Sequence, residues 1–185
     1  MNIIVEGLDS TGKSSLILNL QNYFYDGEVS EPTPVQILYY TNFKAATCNQ
    51  KKISYAHYEA GFKTLRYNAS DNRHLIFDRF HLGEFVYSPL YRNYNGDYVF
   101  ELEKKYMDFL SGTLLIVLID DAENLIERDD GLSFSIDINQ KKEEIKQFKK
   151  GYELSNLNKM LINVKDKTIA DVANIVIKKL RKMRK

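Results

Sequence analysis

The chain has 185 residues, of which 44% are hydrophobic, and its 26 basic and 25 acidic side chains give a net charge of +1. This length allows one domain, residues 1–185, with a substantial core. The near-zero charge argues against a long nucleic-acid footprint and gives no sign of a membrane-binding surface. The one cysteine, Cys48, excludes an internal disulfide and favours a reducing compartment. No apolar run approaches the roughly 20 residues that span a bilayer, and the N-terminal segment does not resemble a signal peptide, so we expect a cytoplasmic protein.

The first predicted element is a short strand that leads into a glycine-rich loop. Residues 3–5 form an apolar, β-branched run, which is typical of a buried strand. Residues 7–14 then fit the pattern G-x-x-x-x-G-K-[S/T], in which backbone N–H groups surround a phosphate. Leu16, Ile17 and Leu20 follow at helical spacing, so the loop precedes a helix N-terminus, whose dipole favours an anion. The stretch therefore predicts a nucleotide-binding P-loop.

Each polar residue type in this loop has a chemical role. Lys13 is expected to contact the terminal phosphates of a nucleotide, and the Ser14 hydroxyl to bind Mg²⁺. A turn that only joins two elements needs neither residue. We therefore predict ATP and Mg²⁺ as cofactors. The predicted nucleotide-binding residues are Gly7, Ser10, Thr11, Gly12, Lys13, Ser14 and Ser15.

Further apolar runs alternate with helical patterns along the chain. The predicted strands are 2–6, either 28–31 or 35–40, 74–78, 113–119 and 160–164. The predicted helices are 13–25, 52–68, 83–93, 97–110, 122–128, 137–155 and 168–182. This alternation predicts a three-layer α/β domain with a parallel sheet covered on both faces. Ligands bind beyond the carboxyl ends of such strands, which selects the P-loop, Glu31, Asp78, Arg79, Asp120 and Asp121.

The residues after the predicted third strand form an informative stretch, DRFHLGEFVYSPLYR. Asp78 ends the strand as a magnesium-binding carboxylate should, and Arg79 can place two donors on phosphate oxygens. Tyr87 and Tyr91 follow on one helical face, a spacing that serves a substrate pocket or the core equally well.

A charged connection, RDDGLSFS, lies between two helical patterns later in the chain. Its charge, glycine and serines have no clear period, which is typical of a mobile surface segment. In a phosphotransfer enzyme this segment, residues 128–137, would form a short lid, and Arg128 is its single arginine.

The combination of EGLDSTGKSS, the pair Glu31–Pro32 and FDRFHLGEFVY resembles the thymidylate kinase family of P-loop enzymes, with matching motif order over nearly the whole chain. The resemblance implies a five-stranded parallel sheet with helices on both faces, phosphorylation of dTMP by ATP with Mg²⁺, and homodimers. It also implies that Asp9 holds the acceptor's 3′-hydroxyl and that Arg79 grips its phosphate. Since Ser10 occupies the loop position where some members carry arginine, Arg128 is expected to reach the migrating phosphoryl group.

Two departures from the family pattern leave the base specificity open. Gly83 stands where the family has serine, and Ser88 where it has glutamine, so only Tyr87 matches at that end. The acceptor is then dTMP, a modified pyrimidine or one of a broader set of deoxynucleoside monophosphates. Phe62 and Arg66, at i, i+4 spacing, are candidates for the base-stacking aromatic residue and its arginine partner.

Three alternatives remain beside a deoxynucleoside monophosphate kinase. A deoxynucleoside kinase would use Glu31 as the base for an uncharged 5′-hydroxyl. A GTP-binding switch would read guanine with N-K-x-D, but residues 158–161 read NKML and lack the aspartate. A polynucleotide-end kinase needs only a small binding pocket, although the charge balance gives no sign of a long nucleic-acid partner. The expected partner is thus a small nucleotide, without a membrane.

Overall fold

The computed structural model describes residues 1–26, 34–40, 49–69, 73–131 and 133–183. Its strands are β1 (Asn2–Gly7), β2 (Val35–Tyr39), β3 (His74–Asp78), β4 (Thr113–Ile119) and β5 (Asn158–Asn163). Its helices are α1 (Lys13–Asp26), α2 (Gln50–Asn68), α3 (His81–Tyr91), α4 (Tyr98–Tyr106), α5 (Ala122–Glu127), α6 (Ile138–Leu154) and α7 (Ile169–Met183), with a 3₁₀ turn at Met107–Phe109. The second strand thus follows the 35–40 alternative, while residues 28–31 lie outside the described residues.

All five strands are parallel and lie in the order β2-β3-β1-β4-β5. From β1 the chain crosses to β2 at one edge of the sheet. From β3 it crosses in the opposite direction, past β1, to β4. Connections that diverge in this way open a crevice at the carboxyl ends of the central strands. The register pairs Val5 with Asp78 and Gly7 with Leu118, so the P-loop and the end of β3 meet at that crevice.

The sheet is covered on both faces, which confirms the three-layer α/β architecture. Ile4 and Phe77 point into a core shared with α2, α3, α4 and α6, while Ile3, Val5 and Ile76 point into a second core with α1 and α7. Successive residues of a strand face opposite sides, which explains why the middle residues of the central strands are apolar on both faces. Each such side chain contributes about 1.5–3 kcal/mol when buried. The strands that carry the loop are therefore held from both sides.

The helix boundaries follow local chemistry. Asp137 caps α6 because its side chain accepts hydrogen bonds from the backbone nitrogens of Asn139 (3.0 Å) and Gln140 (2.9 Å). The predicted helix over 97–110 ends earlier, at Tyr106, and continues only as the 3₁₀ turn. In the described part of the chain, none of the helices combines the length and apolar character needed to cross a membrane.

Candidate active site

The glycine-rich loop curls tightly between β1 and α1. Gly7 has φ +133°, and a side chain there would overlap the carbonyl oxygen of Leu118 on the neighbouring strand. Gly12 has φ +83° but open space around it, so its requirement is conformational. The Thr11 hydroxyl closes the loop by donating to the Leu8 carbonyl at 2.8 Å. This geometry leads the chain into the N-terminus of α1, where an anion is favoured.

Lys13 is the buried cation of this loop. Its ammonium group donates to the Leu8 carbonyl oxygen and lies 3.9 Å from Asp9 Oδ1. Burial and the nearby charge of Arg79 lower the pKa of Lys13 to about 8, although Asp9 and Asp78 act in the opposite direction. A phosphate is a stronger partner than a carbonyl for such a lysine. The lysine is thus desolvated and positioned for a polyphosphate.

Arg79 and Asp9 form the second feature of the site. Arg79 Nη2 donates to Asp9 Oδ1 at 2.6 Å, and Nη1 lies 3.6 Å from Asp78 Oδ1. The backbone of Arg79 is left-handed, with φ +63°, and its N–H donates to the Val5 carbonyl at 2.9 Å. Burial opposes its charge, but the hydrogen bond and the charge of Asp9 raise the pKa of Arg79. The side chain is 32% exposed, so an incoming anion can reach it.

Asp78 lies at the carboxyl end of β3, beside these groups. Its Oδ1 atom is buried and has no hydrogen-bond partner among the described residues. The nearest cation to this oxygen is Arg79 Nη1, at 3.6 Å, which is an ion pair without a hydrogen bond. Ser14, the other predicted magnesium ligand, is exposed in the first turn of α1. The described residues contain no cluster of three or more His, Cys, Asp or Glu side chains that could hold a metal.

Glu6 is a positioning residue that the sequence did not single out. It is fully buried, and its Oε1 atom accepts from the backbone nitrogens of Phe80 (2.8 Å), Leu82 (2.9 Å) and Gly83 (3.3 Å). Burial raises the pKa of Glu6. The carboxylate caps the N-terminus of α3 and ties this helix to β1. An acidic residue inside an apolar strand was the available signal.

Tyr87 is buried in α3 on the side of the site. Burial, followed by the charges of Asp9 and Glu144, raises its pKa well above the ordinary value. Its ring stacks on Phe134 with centroids 5.0 Å apart. Tyr87 thus lies in the core on the helix that follows Arg79, and its predicted contact with the acceptor remains a prediction.

Phe62 and Arg66 occupy other places than the sequence suggested. Phe62 is fully buried against Phe80 and Tyr106, at 4.8 and 6.0 Å between ring centroids, and is not available to stack on a base. Arg66 is exposed and lies 4.3 Å from the centre of the Phe109 ring. This placement corrects the expectation of a base-binding pair. Residues that line a core and residues that line a pocket both recur at helical spacing. In α2 the face that carries Phe62 packs into the core.

Arg128 lies at the start of the predicted lid segment. Its guanidinium forms an ion pair with the buried Asp120, and its Nε donates to the Asn124 carbonyl at 3.1 Å. It also borders a cavity of about 160 Å³ beside the P-loop, together with Ser10, Thr11, Gly12, Val164 and Ile169. Its predicted contact with a migrating phosphoryl group stays a prediction. Glu31, the predicted base, lies outside the described residues, as do Cys48 and residue 132 of the lid segment.

Comparison with known proteins finds similarity in structure rather than in sequence. No family model matches the chain, and no curated protein matches it significantly. Among solved structures, YorR protein from Bacillus subtilis, in complex with phosphorylated GDP, is 17% identical and has a TM-score of 0.72, over 98% of this chain and 96% of that chain.

Two enzymes of known activity are also similar. Thymidylate kinase from Candida albicans is 16% identical with a TM-score of 0.61, over 99% of this chain and 92% of that chain. Deoxyadenosine kinase from M. mycoides, with bound dATP, is 14% identical with a TM-score of 0.57, over 98% and 100%. The chain shares the fold of these P-loop kinases. At this level of identity the similarity establishes the fold, while function has to be argued from the site.

Proposed function

We propose that the chain is an ATP-dependent nucleotide kinase that phosphorylates a deoxynucleoside monophosphate, with dTMP or a related pyrimidine as the first candidate. The observation that carries this proposal is the convergence of two cations on one carboxylate oxygen. Lys13 Nζ lies 3.9 Å and Arg79 Nη2 2.6 Å from Asp9 Oδ1, at the carboxyl ends of β1 and β3. Phosphoryl transfer requires mainly positive charge and positioning around the migrating group, and this cluster supplies both.

The donor side of the site suits ATP. The loop amides and Lys13 would bind the phosphates, and the cavity of about 160 Å³ beside the loop would take part of the rest of the nucleotide. Ser14 and Asp78 fit Mg²⁺, because a hydroxyl and a carboxylate are oxygen ligands of the kind it prefers, and Asp78 Oδ1 accepts no hydrogen bond among the described residues and has only a 3.6 Å ion pair with Arg79. Bound Mg²⁺ would neutralise charge on the β- and γ-phosphates. A site completed by nucleotide oxygens needs few protein carboxylates.

The acceptor side suits a phosphorylated substrate. Arg79 is partly exposed and holds its guanidinium toward Asp9 and Asp78, so an acceptor phosphate can take a bidentate contact from it. A phosphate acceptor is already an anionic nucleophile, which removes the need for a general base. Asp9 would then be free to accept a hydrogen bond from the sugar. Because Arg128 borders the donor cavity, contact with the migrating group requires it to exchange Asp120 for a phosphate.

The proposal is tested by assaying the purified protein with ATP and Mg²⁺ against the four deoxynucleoside monophosphates and the four deoxynucleosides. We expect ADP formation with at least one monophosphate and recovery of its diphosphate. Turnover of nucleosides without turnover of monophosphates would instead support a deoxynucleoside kinase, which the shared fold with deoxyadenosine kinase keeps as the second candidate. No affinity for ATP in the presence of Mg²⁺ would overturn both.

A further inference from the structure

An aromatic slot, which we define as Tyr87, Tyr91, Phe134 and Phe148, lies between α6 and α3, the helix that follows Arg79. Phe134 stacks on Tyr87 at 5.0 Å and 28°, and on Tyr91 at 5.0 Å and 18°. Phe148 of α6 closes the inner side, with its ring edge-on to Tyr87 at 5.7 Å. Phe134 comes from the predicted lid segment and is only partly buried, whereas Tyr87 and Phe148 are buried. A flat ring on a connecting segment therefore fills a slot whose walls belong to α3 and α6.

A buried charged pair borders this slot. The Tyr91 hydroxyl donates to one carboxylate oxygen of Glu144, and Lys141 Nζ donates to the other at 3.2 Å. Both charged side chains are only 1% exposed. Burying an ion pair costs about as much as the attraction returns, so such a pair is weak evidence for a role in stability. The Lys141–Glu144 pair presents one hydrogen-bond donor and one acceptor side by side, so it can hydrogen-bond to the polar edge of a base.

The slot lies beside the residues proposed to hold the acceptor. Tyr87 lies on α3, the helix that begins two residues after Arg79 and whose first turn is held to β1 by Glu6. The charges of Asp9 and Glu144 both act on its phenol. Tyr91 is likewise influenced by both Glu144 and Asp9. A monophosphate whose phosphate meets Arg79 can therefore extend its base toward this slot.

We propose, resting on the proposed function, that the aromatic slot binds the acceptor base in place of Phe134, and that Lys141 and Glu144 select a base with a ring N–H next to an exocyclic oxygen. Guanine and thymine have this edge, in which the oxygen accepts from Lys141 and the N–H donates to Glu144. In the same orientation, adenine and cytosine place an amino donor at Lys141 and an unprotonated ring nitrogen at Glu144, so both contacts are lost. Buried polar groups left unpaired by the wrong substrate produce strong discrimination.

The first experiment compares kcat/KM for dTMP, dGMP, dAMP and dCMP in the wild type and in Glu144→Gln and Lys141→Met. We expect dTMP or dGMP to exceed dAMP and dCMP by about 10- to 100-fold, and both variants to reduce this ratio at least about tenfold. Glu143→Gln and Lys142→Met are the matched controls, since these neighbours on α6 are 38% and 60% exposed and pair with other partners. Their ratios should equal that of the wild type.

A purely structural role for the pair makes a different prediction. If the pair only joins α3 to α6, Glu144→Gln lowers the melting temperature and all four kcat/KM values together, and the ratio stays constant. That result, or a wild-type preference for dAMP or dCMP, overturns the proposal.

The second experiment uses Phe134→Trp as a reporter, because the natural chain has no tryptophan. We expect dTMP or dGMP to shift the emission to longer wavelength and to increase quenching by iodide, as the ring leaves the slot, and ATP with Mg²⁺ alone to have little effect. Phe109→Trp is the control, because this ring is 41% exposed in the 3₁₀ turn after α4 and contacts Arg66. An unchanged Phe134→Trp signal at a saturating acceptor concentration overturns the slot.

These readouts separate the two proposals. If no acceptor is phosphorylated but dTMP or dGMP shifts the Phe134→Trp signal, the proposed function is wrong, while base binding in the aromatic slot is supported. If the chain phosphorylates all four monophosphates equally and the reporter does not respond, the function stands and the slot fails.

Discussion

The proposed donor and acceptor sides of the site are built in different ways. The donor side comes from one contiguous stretch, residues 7–15, in which backbone N–H groups and Lys13 act together. The acceptor side joins groups far apart in the chain: Arg79 meets Asp9 across 70 positions, and Glu144 meets Tyr91 across 53. A contiguous motif prescribes its own geometry, whereas a dispersed site depends on the sheet and helices that bring it together. Substitutions on the two sides are therefore expected to have different effects on kinetics and stability.

The largest effect is expected on the donor side. Lys13→Ala should lower kcat/KM by about 10²–10³-fold, or about 3–4 kcal/mol, because a positive charge at the migrating phosphoryl group is lost. The melting temperature should not fall, since the desolvated ammonium is a cost to the fold without a ligand. Steady-state kinetics and thermal unfolding measure the two quantities. Near-normal turnover by Lys13→Ala would contradict the site.

On the acceptor side, Arg79→Ala should lower kcat/KM for the acceptor by about 10–100-fold while changing the KM for ATP little, because its charge-assisted bonds hold the acceptor phosphate. Arg181→Ala, on α7 near Tyr23, is the control for loss of an arginine and should retain wild-type kinetics. Unchanged acceptor kinetics in Arg79→Ala would remove this residue from the site.

The link between the two sides is Glu6, which joins the loop-bearing strand to α3. Glu6→Ala removes the acceptor of three backbone N–H groups and should reduce the free energy of unfolding by about 2 kcal/mol. Because α3 carries Tyr87, the KM for the acceptor should rise more than the KM for ATP. Denaturant unfolding and kinetics test this, with the exposed Glu101→Ala as control. Equal effects on both KM values would indicate that Glu6 does not favour the acceptor side.

The smallest expected effect is the pH dependence of donor binding. Because burial lowers the pKa of Lys13 to about 8, the free protein loses this charge as the pH rises through that value. Bound phosphate restores the charge, so ATP affinity should be nearly constant below pH 7 and fall about tenfold between pH 7 and 9. Calorimetric titration measures this, and Lys13→Met should abolish the dependence. For folding the sign is opposite: burial penalises the charged form, and the penalty disappears as the pH rises from 8 toward 10.5.

The sequence by itself determined the elements whose signal is local. The runs at 74–78 and 113–119 coincide with β3 and β4, because strands buried on both faces have consecutive apolar residues in their middle, here 75–77 and 114–119. The loop at 7–14 could be recognised because glycines, lysine and serine have to occur in that order to surround a phosphate. Asp78 and Arg79 followed from the rule that sites lie beyond strand ends.

Only the tertiary structure decided which of the periodic side chains face the core and which face the site. Phe62 and Tyr87 both occur on helices at spacings typical of a buried face, yet Phe62 packs against Phe80 and Tyr106, whereas Tyr87 packs against Phe134 of the predicted lid segment. Nor does any local pattern connect Phe134 or Glu144 with Tyr91. Helical periodicity indicates that one face of a helix is buried. The packing of α3 against α6 determines which residues contact that face.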